Sequence, residues 1–350
     1  MCRTLAIETS CDETAAAVVD GDGRVEVNLL ASQVSAHLPY GGVVPELASR
    51  EHLRALPVLV GQALERRGAD IGLVAVTRGP GLIGALLVGV RFAAALAWSR
   101  EVPLVGVDHL EGHLVSPFLA LDGEPARPQP GRVLALVASG GHSGWYLVRD
   151  GQAERLCRTR DDAAGECLDK VAQAMGLPYP GGPVIDRMAR LGDSCSLDLP
   201  RPRLRDGSHD FSFSGLKSAA IRHLRERQVG RVEEHAAPRD ALDLAASLER
   251  AVVEQLLAPT PALVAAHRPH LITASGGVAA NCLLRRRLTE VAQTLGVEVL
   301  LPPPALTTDN AAMIARAGQL ARRRGALDDP RRVDAFGREA WQPPGMRRTR

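Results

Sequence analysis

Short apolar runs separated by glycine- and hydroxyl-rich turns set the pattern of this chain. Residues 4–8 and 15–19 read as two strands around the polar turn Ser10-Cys11-Asp12-Glu13, and a third strand follows near 25–32. Residues 73–77 and 102–107 read as short buried strands. Between them lie two helical stretches. One follows the loop Tyr40-Gly41-Gly42 and runs to about Arg67; the other is an Ala-rich segment that opens at Gly79-Pro80-Gly81-Leu82 and ends near Arg100. The second half repeats the opening: 132–138 and 144–148 form a hairpin around Ser139-Gly140-Gly141-His142-Ser143. Helices are predicted from Asp161 to about Met175, from Ser214 as N-cap with Phe211 and Phe213 buried, and over 241–257. Tyr179–Asp186 reads as a turn. Strands at 271–274 and 297–301 flank a Ser275-Gly276-Gly277 turn, from which a helix is expected to run to Leu295.

Two halves that each begin with a hairpin carrying a hydroxyl-containing tip predict a duplicated α/β fold around a central nucleotide cleft. That is the two-lobed organisation of the actin-like, sugar-kinase and heat-shock ATPases (the ASKHA class). The Pro- and Gly-containing stretch from Asp122 to Gly131 marks the boundary. The expected division is an N-terminal lobe over 1–121, a C-terminal lobe over 132–325, and a basic, unstructured tail over 326–350.

Composition narrows this picture without redirecting it. The 350 residues suffice for two domains with their own cores, and aromatics at 3% leave those cores to Ala, Val and Leu. A net charge of +2 forces no nucleic-acid reading. The six cysteines show no C-x-x-C pair, which argues against a disulfide framework or a cysteine zinc site. With no leader and no uncharged apolar run of about 20 residues, a cytoplasmic protein is expected.

The candidate chemistry starts at His109-Leu110-Glu111-Gly112-His113, just after the strand at 102–107. Histidines four apart on a helix share a face and can converge on one metal ion. A zinc protease would place its glutamate directly after the first histidine; here Glu111 lies two places on, at a different azimuth, so that reading lacks its base. Asp309, at a predicted helix start after a strand, is either an N-cap or an oxygen ligand completing a two-imidazole, one-carboxylate set. The first hairpin turn offers Asp12 and Glu13 as proton acceptors. In the second half, Asp169 lies beyond the first turn of its helix, where a carboxylate can accept ribose hydroxyls, and Asp186 can supply a second acceptor. Gly181-Gly182 permits close backbone approach, and a Ser-Gly-Gly loop entering a helix suits a phosphate.

Taken in order, these segments closely resemble one family, the tRNA adenosine threonylcarbamoyltransferases (TsaD). The match rests on Ile7-Glu8-Thr9-Ser10-Cys11-Asp12-Glu13-Thr14, Val44-Pro45-Glu46-Leu47-Ala48-Ser49-Arg50, Gly79-Pro80-Gly81-Leu82, His109 to His113, Ser139-Gly140-Gly141-His142, Tyr179-Pro180-Gly181-Gly182-Pro183, Phe211 to Lys217, Ser275 to Asn281 and Thr308-Asp309-Asn310. The resemblance implies transfer of a threonylcarbamoyl group from threonylcarbamoyl-AMP to N6 of adenosine 37 in tRNAs that read ANN codons. It implies metal ligands at His109, His113 and Asp309, with Fe(2+) favoured and Zn(2+) the alternative. It implies adenylate contacts at Ala138, Ser139, Gly140, Gly141, His142, Asp169, Gly182, Asp186 and Asn281. Two positions depart from the pattern: Ala138 replaces a usual valine and Ser143 a usual threonine. Partners implied are tRNA, a paralogous actin-like subunit (TsaB-like) and a small P-loop ATPase (TsaE-like). Loop 200–205, Arg285 to Arg287 and the tail are the candidate tRNA contacts. The rival readings are an ASKHA-type phosphotransferase and a metalloprotease of the O-sialoglycoprotein endopeptidase kind.

Overall fold

A computed structural model describes residues 3–67, 70–121, 124, 126–202, 204, 206–228 and 230–337. In chain order the elements are β1 (Arg3–Glu8), β2 (Glu13–Val19), β3 (Val25–Ser32), the short α1 (Val34–His37), α2 (Pro45–Arg67), β4 (Ile71–Gly79), α3 (Ile83–Ser99), β5 (Leu104–Asp108) and α4 (His109–Val115). There follow β6 (Arg132–Ala138), β7 (Ser143–Arg149), β8 (Gln152–Arg158), α5 (Ala164–Ala174), α6 (Gly181–Ala189), α7 (Ser214–Glu226), α8 (Arg239–Leu257) and α9 (Thr260–His267). The chain closes with β9 (Leu271–Ser275), α10 (Cys282–Thr294), β10 (Glu298–Leu300), the short α11 (Pro304–Thr307) and α12 (Ala311–Arg323).

The chain divides into two compact units, Met1–Gln129 with Pro302–Arg350, and Pro130–Leu301. Each is built on a five-stranded sheet, with orders β3-β2-β1-β4-β5 and β10-β9-β6-β7-β8. In the first sheet β1 pairs antiparallel with β2 and parallel with β4; in the second β6 pairs antiparallel with β7 and parallel with β9. The two sheets thus repeat one topology. A hairpin opens each unit, and its first strand is the sheet's centre.

Burial follows the two-residue period of the strands. Leu5 and Ile7 of β1 pack with α2 and α3 residues such as Leu56 and Ala93, whereas Ala6 packs with Ala311, Met313 and Ala315 of α12 on the opposite face. Small residues let α12 lie close to that face: a Cβ on Gly318 would stand 2.6 Å from the Ala75 Cβ. The second unit holds the large side chains Trp145, Phe211 and Phe213 in its core.

Several sequence expectations need correction. Residues 302–325 belong with the first unit, because α12 completes the layer over β1, β2 and β4. Residues 326–337 are not a loose tail. Asp328 bridges to Leu104 and accepts from the Gly106 N–H at 2.8 Å, Val333 is buried, and the Phe336 N–H donates to the Arg78 carbonyl at 2.9 Å. The remaining tail, 338–350, lies outside the described residues, as do Arg203 and Arg205 of the basic loop. Tyr179–Asp186 is not a turn throughout, since α6 begins at Gly181. The helix after Ser275 starts only at Cys282, after a single 3-10 turn over Gly277–Ala280. Ser214 is the first residue of α7 rather than its cap; Asp161 holds that end, accepting from the Phe213 N–H at 2.8 Å and the Ser214 N–H at 3.2 Å. Strand β8 and helix α9 carry no strong sequence pattern and were not expected. Among the described residues no helix is long and apolar enough to cross a membrane.

Candidate functional site

Helix α4 begins where β5 ends. Asp108 caps it by accepting from the Leu110 N–H at 2.9 Å, which places His109 at the first helical position and His113 one turn later. Both imidazoles are buried, with ring centroids 4.7 Å apart and planes nearly perpendicular. Asp309 meets them from the segment before α12: its Oδ1 lies 3.5 Å from His109 Nε2 and 3.1 Å from His113 Nε2. The donor atoms of all three lie within 4.8 Å of one another. Donors about 2.0–2.2 Å from a common ion stand roughly 3–3.5 Å apart, so this set fits one divalent metal.

Why Asp309 is available is a local matter. The alternative use of this residue, capping α12, falls instead to Asn310, whose Oδ1 accepts from the Met313 N–H at 2.9 Å. Close approach of the two helices does the rest. A Cβ on Gly112 would stand 2.8 Å from Ile314 Cδ1 and 3.1 Å from Met313 Cγ, so the glycine between the histidines admits α12. Glu111 turns away toward Arg324. It occupies no protease-base position.

Charge at this site is concentrated. Burial opposes ionisation of His109, but Asp309 and Glu8 outweigh it and hold its pKa well above the ordinary histidine value. Burial likewise opposes the Asp309 charge, and His109 with His113 holds that carboxyl well below its usual range. Glu13, at the start of β2, accepts from the Ser32 hydroxyl at 3.0 Å, and burial pushes its pKa up to about 7, with Asp12 and Asp309 adding to the rise. Asp12 is half-buried on the same turn.

The second unit gathers the remaining candidates around α5 and α6. Between β6 and β7, Ser139 N–H donates to the His142 carbonyl at 2.7 Å and His142 N–H to Ser139 Oγ at 3.1 Å, leaving Gly140 and Gly141 exposed at the tip. Gly165 of α5 abuts this turn, and the Gly276 Cα abuts the Ala138 carbonyl: a Cβ there would stand 2.5 Å from it, at a φ of +93°. Asp169 Oδ1 accepts from the N–H groups of Gly181 at 2.7 Å and Gly182 at 3.2 Å, holding the start of α6. Asp186 Oδ1 accepts from Asn281 Nδ2 at 3.0 Å and from the Cys282 N–H at 3.1 Å. Asn281 also caps α10 through the Leu284 N–H.

Four contributors to the site did not stand out in the sequence as such. Glu249 of α8 is buried and accepts from Asn281 Nδ2 at 2.5 Å, and burial pushes its pKa to about 7. Gly165 and Gly112 act only through packing. Glu8 sits behind His109, where its strand pattern alone gave a hint: a charged residue two places from Ala6 shares the face of a buried strand.

A repeated hairpin-led unit with mixed five-stranded sheets defines an actin-like α/β protein of the ASKHA class. Full-length HypF in its phosphate- and nucleotide-bound form shares this fold, with a TM-score of 0.58 at 11% identity, over 92% of this chain and 55% of that one. A ROK family protein from Streptococcus pneumoniae has a TM-score of 0.50 at 13% identity, covering 93% of this chain and all of that one. The sequence itself is more specific. Residues 24–316 match the family model of the tRNA N6-adenosine threonylcarbamoyltransferases (TsaD). Curated family members from Moorella thermoacetica and Pelobacter propionicus are 48% and 49% identical to it, over 318 residues in each case, with 89% and 90% of this chain covered and 90% of each relative. This chain belongs to that family. It transfers a threonylcarbamoyl group to N6 of adenosine in tRNA. The phosphotransferase and protease readings are not favoured.

Proposed function

We propose that the donor is threonylcarbamoyl-AMP and that the acceptor is adenosine 37 of tRNAs reading ANN codons. The observation that carries this reading is the convergence of His109, His113 and Asp309 in one unit. Two imidazoles with one carboxylate suit Fe(2+), with Zn(2+) as the alternative, and disfavour Mg(2+). When bound, the ion supplies Lewis-acid stabilisation of oxygen charge on the donor.

The chain's own residues do the rest. The turn from Ala138 through His142 offers exposed backbone to an anionic group, and Asp169, Gly182, Asp186 and Asn281 frame the adenylate subsite. Asn281 acts there by orientation, since its amide already serves Asp186, Glu249 and the end of α10. The exocyclic amine is a weak nucleophile, and its attack leaves a proton to be removed. Glu13, or its neighbour Asp12, accepts that proton; a pKa near 7 suits Glu13 to the task.

The reaction runs in the cytoplasm, where its tRNA is found, with a paralogous TsaB-like subunit and a small TsaE-like P-loop ATPase. Incubating the chain with those partners, threonylcarbamoyl-AMP and unmodified tRNA, then digesting to nucleosides for mass spectrometry, tests the reading. Threonylcarbamoyladenosine at position 37 is expected; its absence with active partners refutes it.

A further inference from the structure

Glu8 ends β1 fully buried, on the face of the sheet that Ala6 shares with α12. Three donors converge on its carboxylate. The Ser10 N–H reaches Oε1 at 2.6 Å, the Thr77 hydroxyl reaches Oε2 at 2.5 Å, and His109 Nδ1 lies 3.1 Å from the same Oε2. The opposite nitrogen of that ring, Nε2, faces Asp309. Resting on the reading of His109, His113 and Asp309 as a metal site, we infer that Glu8 is its positioning residue: the carboxylate keeps the His109 proton on Nδ1, presents Nε2 to the ion, and ties the turn bearing Asp12 and Glu13 to the same point.

The competing neighbour is the Ser10 hydroxyl, 3.3 Å from Nδ1. A hydroxyl can donate or accept, so it does not choose a tautomer. An ionised carboxylate only accepts, and its bond to an N–H is about twice as strong as a neutral one. Glu8 therefore sets the proton, and the hydroxyl adapts. Thr77 and Ser10 fix the carboxylate in turn, so the ring is held through β4 and the first hairpin as well as through α4.

Glu8→Gln is the discriminating change because it keeps the shape. If the new amide group faces Ser10, two donors collide. If it faces His109, it donates to Nδ1 and moves the ring proton onto Nε2, where the ion would bind. Either outcome spoils the site, and loss of such an outer partner typically costs 10- to 100-fold in metal affinity.

The test is a Zn(II) competition titration on the full chain, with Co(II) absorption as a second readout, for wild type, Glu8→Gln and His109→Ala. Zn(II) affinity weakened about 10- to 100-fold in Glu8→Gln, with an altered Co(II) spectrum and a weaker effect than His109→Ala, is the expected result. Wild-type affinity in Glu8→Gln overturns the role of Glu8 and leaves the metal site standing. Wild-type protein that binds Zn(II) no better than His109→Ala overturns both. Should Glu8→Gln fail to fold, a long-range 1H–15N spectrum of zinc-loaded wild type decides the matter. A His109 ring protonated on Nδ1 supports the inference, and one protonated on Nε2 refutes it.

Discussion

Gly165→Ala tests whether the turn after β6 is held where a ligand needs it. Gly165 is the second residue of α5, and its own N–H donates to the Ser139 carbonyl at 3.2 Å. An added Cβ would stand 2.7 Å from that carbonyl oxygen and 2.9 Å from both the N and Cα of Gly140. All three are backbone atoms, so no side chain can swing aside. Restoring ordinary contact near 3.4 Å requires the turn or the helix end to move by about 0.5–0.7 Å. Overpacking of this kind costs about 1–3 kcal/mol, and replacing a helical glycine by alanine returns up to about 1 kcal/mol. The net loss of about 0–3 kcal/mol leaves a folded protein. Binding suffers as well, because backbone N–H groups shifted by this much leave the narrow distance range in which they hydrogen-bond a bound anion. Calorimetric titration with AMP should show affinity reduced about 10- to 100-fold, while Zn(II) affinity, which belongs to the other unit, stays at the wild-type value. AMP affinity within about twofold of wild type, in a variant whose melting curve has shifted, would refute the assignment of this turn to the nucleotide.

Three further predictions concern the first unit. Asn310→Ala removes the cap of α12 and should lower thermal stability by about 0.5–2 kcal/mol, whereas Asp309→Asn should abolish tight Zn(II) binding with α12 still capped; calorimetric melts and zinc titrations separate the two. Because Asp309 and Glu8 raise the His109 pKa against the effect of burial, the metal must displace a proton from His109. Apparent Zn(II) affinity should therefore rise with pH, by up to about tenfold per unit between about pH 6 and 8, and a flat profile would contradict this. The same ion pair makes opposite contributions to the metal-free fold: the His109 part is lost as pH rises through its raised pKa, and the Asp309 part as pH falls through its depressed one. Finally, a base must be ionised to act, so single-turnover transfer should climb with pH and level off above about 7, the value to which burial raises Glu13. Glu13→Gln should lower that rate about 10²- to 10⁴-fold and flatten the profile, and an unchanged rate would remove Glu13 from the mechanism.

The legibility of this chain divides along physical lines. Strands buried on both sides, such as β1 and β6, announce themselves as apolar runs, and the hairpin tips between them carry their chemistry in the residues themselves. His109 and His113 were readable for the same reason, since helical spacing alone puts both on one face. What did not show was anything decided by a second element. The unit to which Pro302–Arg323 belongs depends on which sheet face lacks a helix, and the role of Asp309 depends on Asn310 taking the cap. Gly112 and Gly165 look like helix-weakening glycines until the atoms facing their missing Cβ are known. Buried Glu249 sits in an amphipathic helix, where a glutamate ordinarily signals the solvent face. Its partner, Asn281, lies 32 residues on, beyond the reach of local pattern.

One repeated topology carries two kinds of candidate site. In both units the central hairpin places a turn at the same end of the sheet's first strand, between β1 and β2 and between β6 and β7. The first turn keeps carboxylates, and the helices beside it bring in two imidazoles and a third acid; its currency is positive charge and protons. The second keeps glycines at an exposed tip, and the acids near it, Asp169 and Asp186, are saturated by backbone N–H groups and by Asn281 rather than by cations alone. A cluster proposed to hold a metal, with His109 and His113 buried and Asp309 half-buried, must be tightly positioned, and Gly112 with the small residues of α12 allows that close packing in the first unit. The turn proposed to receive an anion needs open space instead, and Gly140 and Gly141 have nothing within 4 Å of where a side chain would start. Exchanging these requirements, by adding a side chain at Gly112 or closing the space over Gly140, would damage one function and spare the other. That separability is what the two binding assays, Zn(II) for the first unit and AMP for the second, are able to measure.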